Sequence, residues 1–247
     1  MRRNARLLVG GLGCVLVLAG CTSQDPAATS VDAPAAAAAV TTCTIPARFA
    51  GRDVERLPLT GRYIALTFDA GGNADGVKPI LDTLQARKVK ATFFLKGGFV
   101  QAFPAKSRRI AGNHLVGNHT MTHPHLLALG NLTVRREIRR AEDTIRTTTG
   151  EDPRRFFRFP FGERNDRLIG IANTMCYVPF RWTVDSLGWL GKERGGTAAR
   201  VVDRVVAAAK PGAIVLMHVG SNPDDGTTFD ADALPVIIQR LRARGYD

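Results

Sequence analysis

The chain has no Cys-x-x-Cys pair, no Gly-x-Gly-x-x-Gly fingerprint and no phosphate-binding loop. Dithiol redox chemistry, dinucleotide binding and nucleotide hydrolysis are therefore set aside. The doublets Gly71-Gly72 and Gly97-Gly98 follow apolar runs and read as turn glycines. No internal repeat is visible, which excludes a solenoid. Aromatic residues are scarce, at 7% of 247 residues. The densest basic run, Arg135-Arg136-Glu137-Ile138-Arg139-Arg140, holds none that could stack on a base. It reads as a solvated helix face with Glu137 between basic pairs, and nucleic acid is excluded as a partner. The longest uncharged apolar run, Leu7 to Gly20, is shorter than the roughly 20 residues of a membrane span.

That run has the layout of a targeting segment instead. Arg2, Arg3 and Arg6 precede it, and Leu18-Ala19-Gly20-Cys21 follows, resembling a bacterial lipobox. The resemblance implies cleavage before Cys21, a lipid on its thiol, and a chain anchored at the extracellular face of the bacterial cell membrane. Thr22 to Thr42 is rich in Ala, Thr, Ser, Pro and Asp and lacks aromatics, as a flexible tether does. The expected organisation is a signal peptide over 1–20, an acylated Cys21 and tether over 21–55, and one domain over 56–247. Formal charge is +12, and loss of the three signal arginines leaves +9, which draws the chain toward anionic surfaces.

Cysteine is nearly absent from the mature part. With Cys14 removed and Cys21 acylated, only Cys43 and Cys176 remain. Outside the membrane they can form a disulfide, or Cys176 can stay a buried thiol; spacing does not decide.

The folded part, about 200 residues, suffices for a single core. Short β-prone runs recur at Tyr63–Phe68, Ala91–Leu95, Phe156–Phe159 and Ala213–Met217. Between them lie helical patterns at Ala74–Lys88, Val134–Thr149, Thr197–Lys210 and Asp232–Arg244. Alternation of this kind predicts α/β architecture with parallel strands. Asp69 and His218 each directly follow or close to a strand, which favours a distorted (β/α) barrel of about seven strands with chemistry on its C-terminal rim.

Five segments carry chemistry in a fixed order: Thr67-Phe68-Asp69, His119-Thr120-Met121-Thr122-His123, Arg158-Phe159-Pro160-Phe161, Asp185 with Trp189, and Leu216-Met217-His218. Two histidines four apart can face one metal ion. The other segments add a carboxylate, a cation and a further histidine, the parts of a metal-assisted hydrolase.

From Tyr63 to Tyr246 these segments resemble the polysaccharide deacetylases, carbohydrate esterase family four, also called the NodB-homology domain. The resemblance implies removal of N-acetyl groups from a polysaccharide, with peptidoglycan amino sugars favoured by the expected location. It implies a divalent metal on His119 and His123, zinc first, with cobalt, nickel or manganese as alternatives. Asp69 becomes the general base, Arg158 its charged partner, His218 the acid that protonates the departing amine, and Asp185 the support of His218. Phe161 contributes its backbone N–H, and Trp189 and Leu216 shape a pocket for the acetyl methyl. His114 and His125 have no matched role; His114 is expected as a displaced neighbour of the metal site. Sugar-stacking aromatics are few: Trp182, Trp189, Tyr177 and Phe161.

Two departures stand out. Ala70 occupies the position of the family's usual third metal ligand, an aspartate. Asp75 can replace it, Asp69 can lean onto the metal, or two histidines and water can suffice. The last helix closes at Gly245-Tyr246, where the family continues into a final strand, so an unpaired edge is expected. Competing readings are a non-catalytic wall-binding protein with a decayed metal site, and an acetylxylan or chitin-oligomer deacetylase.

Overall fold

The structure, a computed structural model, describes residues 44–247. Seven strands form one sheet: β1 Ala65–Ala70, β2 Thr92–Leu95, β3 Leu115–Asn118, β4 Arg155–Phe157, β5 Tyr177–Pro179, β6 Val184–Asp185 and β7 Ile214–His218. Their order is β5-β4-β3-β2-β1-β7-β6, and every pairing is parallel. The helices are α1 Val77–Arg87, α2 Gly97–Ala102, α3 Pro104–Ala111, α4 Asn131–Thr149, α5 Asp166–Thr174, α6 Ala198–Ala207 and α7 Phe229–Ala243. No described helix is long and apolar enough to cross a membrane.

Strand alternation sorts β1 into two faces. Leu66, Phe68 and Ala70 join the core cluster that includes Val77, Ile80 and Leu84 of α1 and Leu234, Ile237 and Ile238 of α7. Thr67 and Asp69 point the other way, where Arg158 bonds both. A second cluster packs Val134 and Ile138 of α4 and Leu168 and Ala172 of α5 around Phe157 and Tyr177. Helix ends follow their sequence signals. The Thr197 side chain caps α6 by accepting from the Arg200 N–H, and Gly150, at φ 79°, closes α4.

Register matters more for function than packing does. Asp69 sits opposite His218, Ala70 opposite Leu95, Leu95 opposite Asn118, Asn118 opposite Phe157, and Asp185 opposite Leu216. The chemically active segments therefore start at one level, along the C-terminal rim of the sheet.

The domain boundary falls earlier than expected. Residues 44–55, assigned to the tether, are folded onto the barrel. Val54 donates its N–H to the Pro179 carbonyl at 2.9 Å and accepts from the Arg181 N–H at 2.9 Å. Arg56 bridges to Ala213, and the Thr183 hydroxyl donates to the Glu55 carbonyl at 2.6 Å. This segment thus spans from the β5 side to the β7 side, across the seam that β5 and β6 leave unpaired. Ile45, Phe49 and Leu57 pack with buried Val54, Val178 and Ile214 beneath it. Arg164 adds ion pairs to Asp53 at 3.0 Å and to Glu55 at 2.9 Å.

The C-terminal residues also pair back on the fold. The Asp247 N–H donates to the Arg62 carbonyl and its carbonyl accepts from the Ile64 N–H, both at 2.9 Å. Cys176 is disulfide-bonded. Cys43, a partner in one of the two readings of Cys176, and Cys21 lie outside the described residues, as do the signal and the tether up to 43.

A chain beginning at Leu57 should unfold more readily than one beginning at Thr44, by about 3 kcal/mol or more, since each buried apolar side chain contributes ~1.5–3 kcal/mol. Urea unfolding of the two chains checks this.

Candidate active site

At the end of β1, Asp69 is buried, and Arg158, just past β4, meets it inside the barrel. Arg158 is 1% exposed, so every donor needs a partner. Nη1 donates to Asp69 Oδ1 at 2.7 Å, Nη2 to Thr67 Oγ1 and the Arg181 carbonyl at 2.9 Å, and Nε to the Phe180 carbonyl at 2.9 Å. The Phe94 ring lies 4.1 Å from the guanidinium carbon. Burial alone would raise the Asp69 carboxyl. The charge of Arg158, with His119 and His218, outweighs it and holds Asp69 below the usual carboxylate range. Asp69 is thereby an anion with one oxygen spoken for and the other, Oδ2, facing His119 Nε2 at 3.4 Å.

The segment from His119 to His123 is a turn rather than a helix. Thr120 and His123 adopt φ of 63° and 64°, a left-handed conformation that non-glycine residues occupy only under constraint. Asn118 Oδ1 accepts from the Thr120 N–H, Thr120 Oγ1 from the His123 N–H, and Glu137 Oε2 from both the Thr122 N–H and hydroxyl. Glu137 therefore does not face solvent among its arginines, as its sequence context suggested. It is buried on the inner face of α4 and pins this turn. Asn118 is fixed in turn by donating to the Ile138 carbonyl at 2.8 Å and Tyr177 Oη at 3.0 Å.

The two imidazoles come together, with ring centres 4.8 Å apart. His119 Nδ1 lies 2.8 Å from the Arg158 carbonyl, to which it donates, so Nε2 carries the lone pair. Burial lowers both histidines, His123 to about 4, and keeps them neutral.

His218 behaves oppositely. Burial disfavours its cation, but Asp230, Asp69 and Asp185 together raise it above the ordinary histidine range. Its nearest carboxylate is Asp230, with Oδ2 3.7 Å from Nδ1 and accepting the His218 N–H at 2.8 Å. Asp230 is 3% exposed, and its Oδ1 and His218 Nδ1 are both without a hydrogen-bond partner. The expected partner, Asp185, spends its oxygens on the Leu187 N–H at 2.9 Å and on Trp189 Nε1 at 3.5 Å. It supports His218 as a charge beyond ion-pair distance, and Asp230 is the carboxylate that adjoins the imidazole. Gly188 makes room for this, since a Cβ there would lie 2.2 Å from Asp230 Oδ1.

These groups open into one cleft of about 680 Å³, lined also by Phe161, Trp182, Trp189, Leu216 and Lys96. Phe161 has φ 57° and is held between two rings, His123 edge-on at 4.4 Å and His125 stacked at 4.2 Å. His125 is itself 2.9 Å from Glu163 Oε1, which gives it the role its sequence context left open. His114 stands at the start of β3, against Phe93 at the opposite end of the strands, and is no neighbour of the site.

Known proteins are similar to this chain in sequence and fold. The Polysaccharide deacetylase family matches residues 56–179. The chain belongs to this family. A chitooligosaccharide deacetylase of Sinorhizobium fredii is 36% identical over 203 residues, 79% of this chain and 93% of that one. The structure of the Bc1960 peptidoglycan N-acetylglucosamine deacetylase superimposes with TM-score 0.72 at 31% identity, covering 81% of this chain and 91% of that one. BA3943 of Bacillus anthracis, a pseudoenzyme of carbohydrate esterase family four, has TM-score 0.72 at 29% identity, covering 80% and 66%.

Against this polysaccharide deacetylase frame, the third metal ligand that the resemblance implies has no counterpart at position 70. Ala70 is fully buried in the helix-side core. Asp75 does not line the cleft; it is exposed and accepts from the Ser221 hydroxyl at 2.7 Å. Among the described residues no three His, Cys, Asp or Glu side chains form a metal cage. What is present fits an open two-histidine site: two neutral imidazoles, one oriented by a backbone carbonyl, beside the unengaged Oδ2 of Asp69.

Asp230, Glu137 and Asn118 escaped the sequence reading. Of the two acids that open apolar α7, Asp230 and Asp232, the first falls on the buried face, a signal for Asp230; Glu137 has none apart from its place on the apolar face of α4.

Asp230→Asn should shift the alkaline limb of the pH–activity profile to lower pH, because His218 would lose the charge that holds its proton. The acidic limb, set by Asp69, should stay. An unchanged alkaline limb would reassign the support of His218.

Proposed function

We propose that this protein is a metal-dependent deacetylase that removes N-acetyl groups from amino sugars of a cell-wall polysaccharide, peptidoglycan first. One observation carries the reading: an ionised, Arg158-held Asp69, a neutral His119–His123 pair and a proton-holding His218 share one cleft. A binding protein has no need of a base and an acid set against each other.

The chemistry divides among these residues. Asp69 takes a proton from a water molecule as its oxygen attacks the acetamide carbonyl carbon. His218, held protonated by Asp230, delivers a proton to the amide nitrogen as the carbon–nitrogen bond breaks, so that an amine departs and acetate remains. The left-handed Phe161 presents its backbone N–H toward the developing oxyanion. Leu216 and Trp189 wall the space for the acetyl methyl. His119 and His123 would hold a divalent cation, zinc first, which when bound supplies Lewis-acid stabilisation of the oxyanion. With two imidazoles and no Asp at 70, affinity for that cation should be below that of a three-ligand site.

The same reading takes in the N-terminus. Arg2, Arg3 and Arg6, the apolar run to Gly20 and Leu18-Ala19-Gly20-Cys21 support a lipid on Cys21 and a place at the outer face of the bacterial membrane, within reach of wall glycans.

The missing carboxylate at position 70 favours a second reading, a wall-binding protein with a decayed metal site. Acetate release from peptidoglycan and N-acetylglucosamine oligomers, with zinc or cobalt supplied, decides between them. Release should fall at least ~100-fold in Asp69→Asn, the loss expected for a general base. Chelation should abolish it and added zinc restore it. Release no greater than that of Asp69→Asn, from folded and metal-supplied protein, would leave the binding reading standing.

A further inference from the structure

Lys96 stands at the cleft with no part in this chemistry. It directly follows β2, and its N–H donates to the Ala70 carbonyl at 3.0 Å, which ties its backbone to the end of β1. Its side chain runs over Gly98. A Cβ at Gly98 would lie 3.4 Å from Lys96 Cε and 4.0 Å from Nζ, and also 3.4 Å from the Met121 carbonyl. The absent side chain leaves a path that carries the ammonium toward the turn of residues 121–123. Lys96 lines the cleft beside Asp69, His119, Thr122 and His123, and its charge is one of those that keep His123 neutral.

No carboxylate pairs with this ammonium among the described residues. Two acids line the cleft, Asp69 and Asp185. Arg158 engages the first; the Leu187 N–H and Trp189 engage the second. Position 70, joined to Lys96 through the backbone, offers a methyl group. A half-buried cation facing a cleft without a counter-ion has given up part of its hydration with no protein charge in return. An anion on the ligand would restore the balance, and a neutral glycan would not.

We propose that Lys96 is an anion-binding position of the substrate cleft, and that the preferred sugar carries a carboxylate next to its acetamido group. N-acetylmuramic acid has this chemistry: its lactyl ether sits on the carbon adjoining the acetamido carbon. Chitin oligomers lack it. In peptide-bearing strands the lactyl carboxyl is tied up as an amide, so the matching substrate is a glycan strand freed of its peptides. This rests on the deacetylase reading and narrows it.

The test compares kcat/KM for acetate release from peptide-free peptidoglycan strands and from neutral N-acetylglucosamine oligomers of similar length. The acidic-to-neutral ratio should fall about 10-fold in Lys96→Gln, the worth of one charge-assisted hydrogen bond, and should be kept in Lys96→Arg. An unchanged ratio would overturn the proposal. So would a Lys96 effect confined to strands that keep their peptides. Calorimetric binding of N-acetylmuramic acid and N-acetylglucosamine separates this from failure of the deacetylase reading. Tighter binding of the acid, lost in Lys96→Gln, supports the anion position even if no acetate is released from any glycan. Equal binding of the two sugars by the unaltered protein overturns it.

Discussion

The buried pair of Arg158 and Asp69 is the constraint on which the rest of this structure depends. Two ions withdrawn from water are tolerated only when their attraction is joined by hydrogen bonds that satisfy the remaining donors. Here those bonds come from Thr67 of β1 and from the carbonyls of Phe180 and Arg181 beyond β5. The pair therefore ties the centre of the sheet to one edge through the barrel interior. It also fixes the Asp69 charge and leaves a single oxygen free, toward His119. Lysine could not do this, since one ammonium cannot present a planar fork to four acceptors on different elements.

A second requirement is strain held at the proposed metal ligands. Thr120, His123 and Phe161 all lie in left-handed backbone, at the cleft or beside it. Each such residue costs of order 1–3 kcal/mol and persists only where its surroundings overdetermine it. The surroundings are identifiable: Glu137 and Asn118 take the N–H groups of the turn, and His125 stacks on the Phe161 ring. Residues remote from the chemistry thus set the direction in which two imidazoles and a backbone N–H point.

Much of the site was legible in the sequence because parallel strands in register bring their C-terminal ends together. Once Asp69 and His218 are read as the ends of two strands, their meeting follows. What stayed hidden has physical reasons. Strands β5 and β6 hold three and two residues, too few for a period to show. Residues 44–55 show no strand or helix period and so read as tether, yet they fill the barrel seam through backbone hydrogen bonds and the packing of Ile45, Phe49 and Val54. Glu137 lay among four arginines, and the helix turns it inward beside Ile138, whereas Arg136, Arg139 and Arg140 are exposed. Asp230 is twelve residues past His218, and only the return of α7 onto β7 makes them partners.

The three histidines at the cleft show how one side chain serves opposite ends. His119 and His123 are surrounded by apolar burial and by the cations Arg158 and Lys96, and they stay neutral with lone pairs available. His218 is surrounded by Asp230, Asp69 and Asp185, and it keeps its proton. The separation is electrostatic and places acid and ligands apart by their neighbours rather than by their chemistry. Ala70, buried on the helix-side face of β1, adds no charge to either group. Alanine there keeps the imidazoles open while surrendering one donor to a cation. Lys96, left without a neighbouring acid, pushes in the same direction. The substitution at 70 is therefore compatible with a working acid–base pair, since neither Asp69 nor His218 relies on it for its charge.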